Sequence, residues 1–177
     1  MATPLRRFPI KRLVYDLSTI YVDGAHNAST GTIAWASVVD ANGLDLVAPY
    51  ARLASDLTLR TVLLPRGIGV RQVLEAKFTD VVSQQINGAE LLALVFGLRV
   101  AVGEGAGIVK QVCSDSTTVL AWSLKLGSKQ RATFDPRKVK YIDELMGLRR
   151  QFEQGGGRVV KISGDDNLSD LGFHLQR

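Results

Sequence analysis

Apolar positions change their period along this chain, and the changes mark out its elements. Residues 17–23 (LSTIYVD) are β-branched and aromatic and predict a strand that stops at Asp23-Gly24. Residues 31–40 (GTIAWASVVD) predict a second strand closed by Ala41-Asn42-Gly43, and 44–48 (LDLVA) a third; such short links imply an antiparallel meander. Between 51 and 84 the pattern divides less cleanly. Residues 57–64 and 70–78 flank Pro65-Arg66-Gly67 like the arms of a hairpin, yet the second arm fits a helix equally well. From 87 to 102, Leu91, Leu94, Val95, Leu98 and Val102 recur at helical spacing and run out at Gly103 and Gly105.

The second half alternates. Residues 108–114 predict a fourth strand stopping at Asp115, followed by a short helix over 116–126. Asp135 is placed to cap a helix with Pro136 at its first position; Val139, Ile142, Leu145, Met146 and Phe152 carry it to Gly155-Gly156-Gly157. Residues 158–162 predict a fifth strand and 168–175 a brief terminal helix. Three meandering strands followed by helix–strand alternation predict an α/β fold, with a five-stranded mixed sheet, antiparallel on one side and parallel on the other, flanked by helices. The expected organisation is a basic arm over 1–16 and one domain over 17–177, with an extra segment at about 51–84.

Composition narrows the class. The chain has 177 residues, 46% hydrophobic and 22% charged, as a single globular domain has and a disordered or fibrous chain does not. The longest apolar tract, 91–102, is too short to cross a bilayer and contains Arg99, so no membrane span is expected. The first residues, MATPLRRFPIKR, lack the apolar core of a secretory signal, and the lone Cys113 calls for no oxidising compartment. An intracellular location, cytoplasm or nucleus, is the expectation. A net charge of +5 favours a polyanionic partner. Arg6, Arg7, Lys11 and Arg12 open the chain, and Lys125, Lys129, Arg131, Arg137, Lys138 and Lys140 cluster around the single acid Asp135.

Against that basic background, two apolar strands each end in an aspartate followed by a small residue, Asp23-Gly24 and Asp115-Ser116. Ligands of open α/β sheets gather beyond the carboxyl ends of parallel strands. If these strands are neighbours the carboxylates meet there, and Glu90, in the first turn of the main helix, and Asp170 near the end can join them. Clustered carboxylates repel and take up protons unless cations neutralise them, and all-oxygen sets suit Mg²⁺ or Mn²⁺. Two such ions about 3.5–4 Å apart activate water and stabilise the leaving oxygen in phosphodiester hydrolysis. For any one of these acids taken singly, a turn residue or helix cap is the competing reading.

At these residues the chain resembles the ribonuclease H family. The resemblance is carried by Tyr21-Val22-Asp23-Gly24-Ala25, Asn87-Gly88-Ala89-Glu90-Leu91, Ser114-Asp115-Ser116 and Asn167-Leu168-Ser169-Asp170, in the family's order, and spans about residues 17–175 apart from 51–84. It implies a ribonuclease H-like fold in which Asp23, Glu90, Asp115 and Asp170 hold two Mg²⁺ or Mn²⁺. It also implies an endonuclease hydrolysing the RNA strand of RNA–DNA hybrids, with the 2′-hydroxyl distinguishing RNA from DNA. Asp23 would bridge both ions, Glu90 and Asp115 would complete the pair with the scissile phosphate, and Asp170 would hold the ion that activates water. Gly24, Ala25, Asn87 and Ser116 match positions that contact the RNA strand. Lys125, Lys129 and Arg131 lie where the family often places a basic element that grips the DNA strand.

Two departures stand out. The family's cellular enzymes usually carry a histidine in the loop before the last aspartate; here the loop is Ile162-Ser163-Gly164-Asp165-Asp166, and the ending is closer to the retroelement and viral branch. A reverse transcriptase or replication complex is the partner that branch suggests. His174, four residues after Asp170, is the candidate auxiliary residue and His26 the other, with an ordinary surface or packing histidine as the competing reading for both. The second departure is 51–84, whose Arg52, Arg60, Arg66, Arg71 and Lys77 read either as a phosphate-binding face or as a solvated charged hairpin. A 3′–5′ exonuclease, a junction resolvase and a non-catalytic nucleic-acid-binding module are the alternative functions.

Overall fold

The computed structural model describes residues 14–26, 33–67, 69–79 and 85–172. Residues 1–13 of the basic arm, His174 and most of the expected terminal helix lie outside these residues, as does the side chain of His26.

Six strands form one open mixed sheet: β1 (Thr19–His26), β2 (Ala34–Val39), β3 (Thr58–Leu63), β4 (Val70–Ala76), β5 (Gln111–Ser114) and β6 (Arg158–Lys161). Their order is β3-β4-β2-β1-β5-β6. Pairing is antiparallel from β3 through β4 and β2 to β1, and parallel from β1 to β5 to β6. Four α-helices lie among the described residues: α1 (Gln85–Val102), α2 (Thr117–Trp122), α3 (Ser128–Thr133) and α4 (Pro136–Gln154).

The sheet has six strands where the sequence predicts five, and the set differs in a second way. The two arms within 51–84 are both strands, paired from Thr58↔Glu75 to Leu63↔Val70, so the extra segment widens the sheet by a hairpin. Residues 44–48 are not a strand; one bridge, Val39↔Asp45, is all that remains. The acids around that stretch bind the backbone N–H groups that a ladder would use. The Asp40 carboxylate accepts from Asn42 and Leu44, and that of Asp45 from Val47 and Ala48. The expected terminal helix does not begin within 168–172, which form a turn and an irregular stretch. The described structure also adds α3, unpredicted, inside the basic cluster.

α1 is apolar almost all round because it is covered on several sides. Leu91, Leu92, Leu94, Val95, Phe96 and Leu98 are buried between the sheet and α4. Gly97 sits on β1, where a Cβ would lie 2.7 Å from Val22. The other face of the sheet carries a smaller cluster in which Val62, Val73 and Leu171 pack with Ala25 and Trp35. Leu171 belongs to the stretch that follows β6, so the end of the described chain folds back across this second face. Among the described residues no helix is long and apolar enough to cross a membrane.

Candidate metal centre

β1 runs three residues beyond Asp23, because β2 pairs with it from Tyr21↔Val39 to His26↔Ala34. Asp23 therefore stands inside a strand and not at its end, held in the ladder opposite Ser37. Its parallel neighbour stops sooner. Tyr21 is level with Cys113, β5 ends at Ser114, and Asp23 and Asp115 are each two residues past that level pair. Register alone thus sets the two carboxylates side by side beyond the carboxyl end of β5, where the sheet changes from antiparallel to parallel pairing.

Glu90 reaches them from α1 through a close helix–strand contact. Gly24 makes that contact possible: a Cβ there would lie 2.6 Å from the backbone nitrogen of Glu90 and 3.0 Å from its Cγ. One carboxylate oxygen each from Asp23, Glu90 and Asp115 lies within 4.8 Å of the other two. Asp23 and Glu90 are buried, each only 8% exposed.

The electrostatics of the cluster are those of buried carboxylates that repel one another. Burial, the Asp115 charge and, more weakly, the Asp170 charge push the Asp23 carboxyl up to about 7, against the hydrogen bonds it receives. Burial and then the charges of Asp23 and Asp115 raise Glu90 well above the usual glutamate range. Glu90 Oε2 is buried and has no hydrogen-bond partner. A native interior leaves such an oxygen unpaired at a cost of order 1–3 kcal/mol, more if it is charged, so it marks a place built for a donor or cation. Three hard oxygen donors at this spacing fit a divalent metal ion.

Asp170 stands outside the 4.8 Å grouping, although its charge acts on Asp23. The stretch that carries it is tied down at three points. A Cβ on Gly164 would meet Asp115 Oδ2 at 3.1 Å; Asn167 Nδ2 donates to the Val22 carbonyl at 2.9 Å, and its Oδ1 accepts from the Ser169 hydroxyl at 2.7 Å. Arg71 Nη1, from β4, donates to the Ser169 carbonyl at 3.1 Å and to Ser37 Oγ at 3.2 Å. The half-buried Arg71 has its pKa lowered by burial, against the attraction of Asp45 and Asp170. Asn167 and Arg71 are thus the residues that hold Asp170 toward the cluster. The sequence contains a signal for one of them, an Asn three positions before the aspartate; nothing in it foretells that Arg71 crosses from the hairpin.

The remaining predicted contact residues have distinct local settings. Ala25 is part of the small apolar cluster, Asn87 lies half-buried in the first turn of α1, and Ser116 caps α2, its Oγ accepting from Val119 N at 3.2 Å. The basic cluster is not a single free face. Arg131 is held by both oxygens of Asp143, Arg137 by Asp135, and Lys138 is fully buried with Nζ 5.0 Å from the Trp122 ring centre and 4.4 Å from that of Phe134. Lys125, Lys129 and Lys140 are exposed. Trp122 is core.

The chain matches no protein-family model, no curated protein and no solved structure.

Proposed function

We propose that the chain is a metal-dependent nuclease with ribonuclease H chemistry, an endonuclease that hydrolyses the RNA strand of RNA–DNA hybrids. The observation that carries this reading is the buried, unpartnered Glu90 Oε2 beside the carboxylates of Asp23 and Asp115. The resemblance in the order of the four acidic motifs supports it, as does the basic character of the rest of the chain.

Asp23, Glu90 and Asp115 would hold Mg²⁺ or Mn²⁺, with Asp170 completing the set for a second ion. When bound, the ions supply charge neutralisation at the scissile phosphate, activation of the attacking water and stabilisation of the leaving oxygen. The chain's own contribution is placement. β1 and β5 fix two carboxylates in register, Gly24 lets α1 bring in the third, and Asn167 and Arg71 hold the fourth near.

The test is incubation of labelled RNA–DNA hybrid, duplex DNA and duplex RNA with Mg²⁺, with Mn²⁺ and with EDTA. The hybrid's RNA strand should be cut internally in the presence of metal, leaving 3′-hydroxyl and 5′-phosphate ends, and Asp23→Asn should reduce cutting to background while remaining folded. A hybrid left intact in both metals would refute the proposal. Trimming only from 3′ ends would favour an exonuclease, and cutting only of branched DNA a resolvase.

A further inference from the structure

The added hairpin of β3 and β4 and the stretch that carries Asp170 are far apart in sequence, yet they pack on each other. No helix carries Asp170 within 168–172, so tertiary contacts have to set its position. Both of its neighbours are held by the hairpin. The Ser169 carbonyl accepts from Arg71 Nη1 at 3.1 Å, and Leu171, only 2% exposed, packs with Val62 and Val73. Val62 on β3 is the cross-strand partner of Arg71 on β4, so the two side chains stand on one face of the sheet. Val73, two residues on from Arg71, shares that face.

The same nitrogen reaches the other side of the site. Arg71 Nη1 also donates to Ser37 Oγ at 3.2 Å, and Ser37 is the partner of Asp23 in the β1–β2 ladder. A guanidinium Nη carries two hydrogens, and these two acceptors take both. One atom therefore joins the strand residue level with Asp23 to the residue just before Asp170. β3 supports that bridge from the side. Without it β4 would be the edge of the sheet, and the apolar stem of Arg71 would have no cross-strand neighbour there. Asn167, by contrast, secures the start of the stretch to β1, through the Val22 carbonyl.

We propose that the added hairpin is the scaffold of the fourth carboxylate, and that Arg71 is a positioning residue whose bridge from Ser37 to Ser169 fixes the separation of Asp23 and Asp170 and, through it, the affinity of the site for metal. The segment 51–84 thereby gains a function without contacting substrate. Partners that orient metal ligands from outside the coordination sphere are worth about 10–100-fold in metal affinity. The proposal rests on the nuclease reading for the use made of the metal, and not for where Asp170 stands.

Mn²⁺ titration of the full chain without nucleic acid, read by electron paramagnetic resonance, tests this in a double-mutant cycle. Arg71→Met should weaken Mn²⁺ binding about 10-fold, Asp170→Asn should weaken it at least as much, and Val62→Ala should weaken it less than either. With Asp170→Asn already present, Arg71→Met should cost no further affinity, to within about twofold, because a residue that acts through another is not additive with it. Leu63→Ser changes the same hairpin at an exposed position whose side chain faces away from Arg71. That control should stay within about twofold of the wild type. Hydrogen exchange over 164–172 should quicken in Arg71→Met and not in Leu63→Ser, and circular dichroism verifies the folding of each variant. Wild-type affinity in Arg71→Met or in Val62→Ala, a loss in Arg71→Met that persists in full beside Asp170→Asn, or an equal loss in Leu63→Ser would overturn the proposal. A hybrid left intact in the cleavage assay refutes the nuclease reading and leaves this cycle unchanged, whereas an additive cycle refutes the scaffold and leaves the cleavage assay unchanged.

Discussion

Gly24 connects the local geometry to the chemistry more directly than any other position. Its φ lies in the ordinary range, so its role is space and not backbone freedom: an added Cβ would lie 2.6 Å from Glu90 N and 3.1 Å from Ala89 C, both backbone, as well as 3.0 Å from the Glu90 Cγ. Backbone of a packed helix cannot swing aside like the end of a flexible side chain. Gly24→Ala should therefore push the start of α1 off β1, costing of order 1–3 kcal/mol of stability and lowering affinity for Mn²⁺ by moving Glu90 away from Asp23. Chemical denaturation and Mn²⁺ titration by electron paramagnetic resonance would measure the two effects. Unchanged stability would show that α1 is not in close contact there. Gly88 is a second such position, and its neighbour Phe78 is a side chain that can rotate; Gly88→Ala should cost less than Gly24→Ala in the same assays.

Elements that bury one regular face were legible in the sequence; elements fixed by individual polar contacts were not. α1 and α4 are found where apolar periodicity and the Asp135-Pro136 cap place them, since tertiary burial and local propensity agree over 18 and 19 residues. The β3–β4 hairpin was half legible. The apolar content of 70–78 fits either period, and only pairing with β2 on one side and β3 on the other settles it as a strand. Residues 44–48 have strand composition, but Asp40 and Asp45 bind the local N–H groups and make turns. The acidic site was legible as four motifs but not as geometry: Asp23, Glu90 and Asp115 converge, while Asp170 is set by a stretch that is neither helix nor strand at 167–172. That stretch is held by side chains, above all Asn167, which is buried between the Val22 carbonyl and Ser169. Asn167→Ala leaves that carbonyl without its side-chain donor and frees Ser169, at a cost of about 1–3 kcal/mol. It should also release Asp170, so hydrogen exchange over 164–172 should quicken, and metal affinity should fall by less than it does in Asp23→Asn. Exchange as slow as in the wild type would show that Leu171 alone anchors the segment.

The molecule as a whole should carry the strain of its acidic cluster as a pH-dependent stability. An unfolded aspartate titrates near about 3.9, whereas folded Asp23 is pushed up to about 7, and Glu90 moves in the same direction. Between these values the metal-free folded state keeps a proton that the unfolded state has released. Stability therefore falls as pH rises through this window and levels off above the folded value. Three units at about 1.4 kcal/mol each set an upper bound of ~4 kcal/mol for Asp23 alone. The carboxylates held low elsewhere act in a different range. Asp56, kept at about 2 by its hydrogen bonds to Arg99, and Asp135 and Asp143, lowered by Arg137 and Arg131, weaken the fold only when pH drops toward those low values. From about pH 5 to 8 the cluster should dominate. Comparing wild type with Asp23→Asn isolates the contribution of Asp23, since the two chains share every other titratable group. The metal-free wild type should melt at a progressively lower temperature from pH 5 to 8, Asp23→Asn should show a flatter profile and a higher melting temperature at pH 8, and added Mg²⁺ or Mn²⁺ should stabilise only the wild type strongly. That metal shift should grow with pH as the carboxylates give up their protons, reaching ~2.7 kcal/mol at a hundredfold excess over the dissociation constant. Parallel pH profiles for the two chains, or equal stabilisation of both by metal, would mean that Asp23 is not the strained centre of the site.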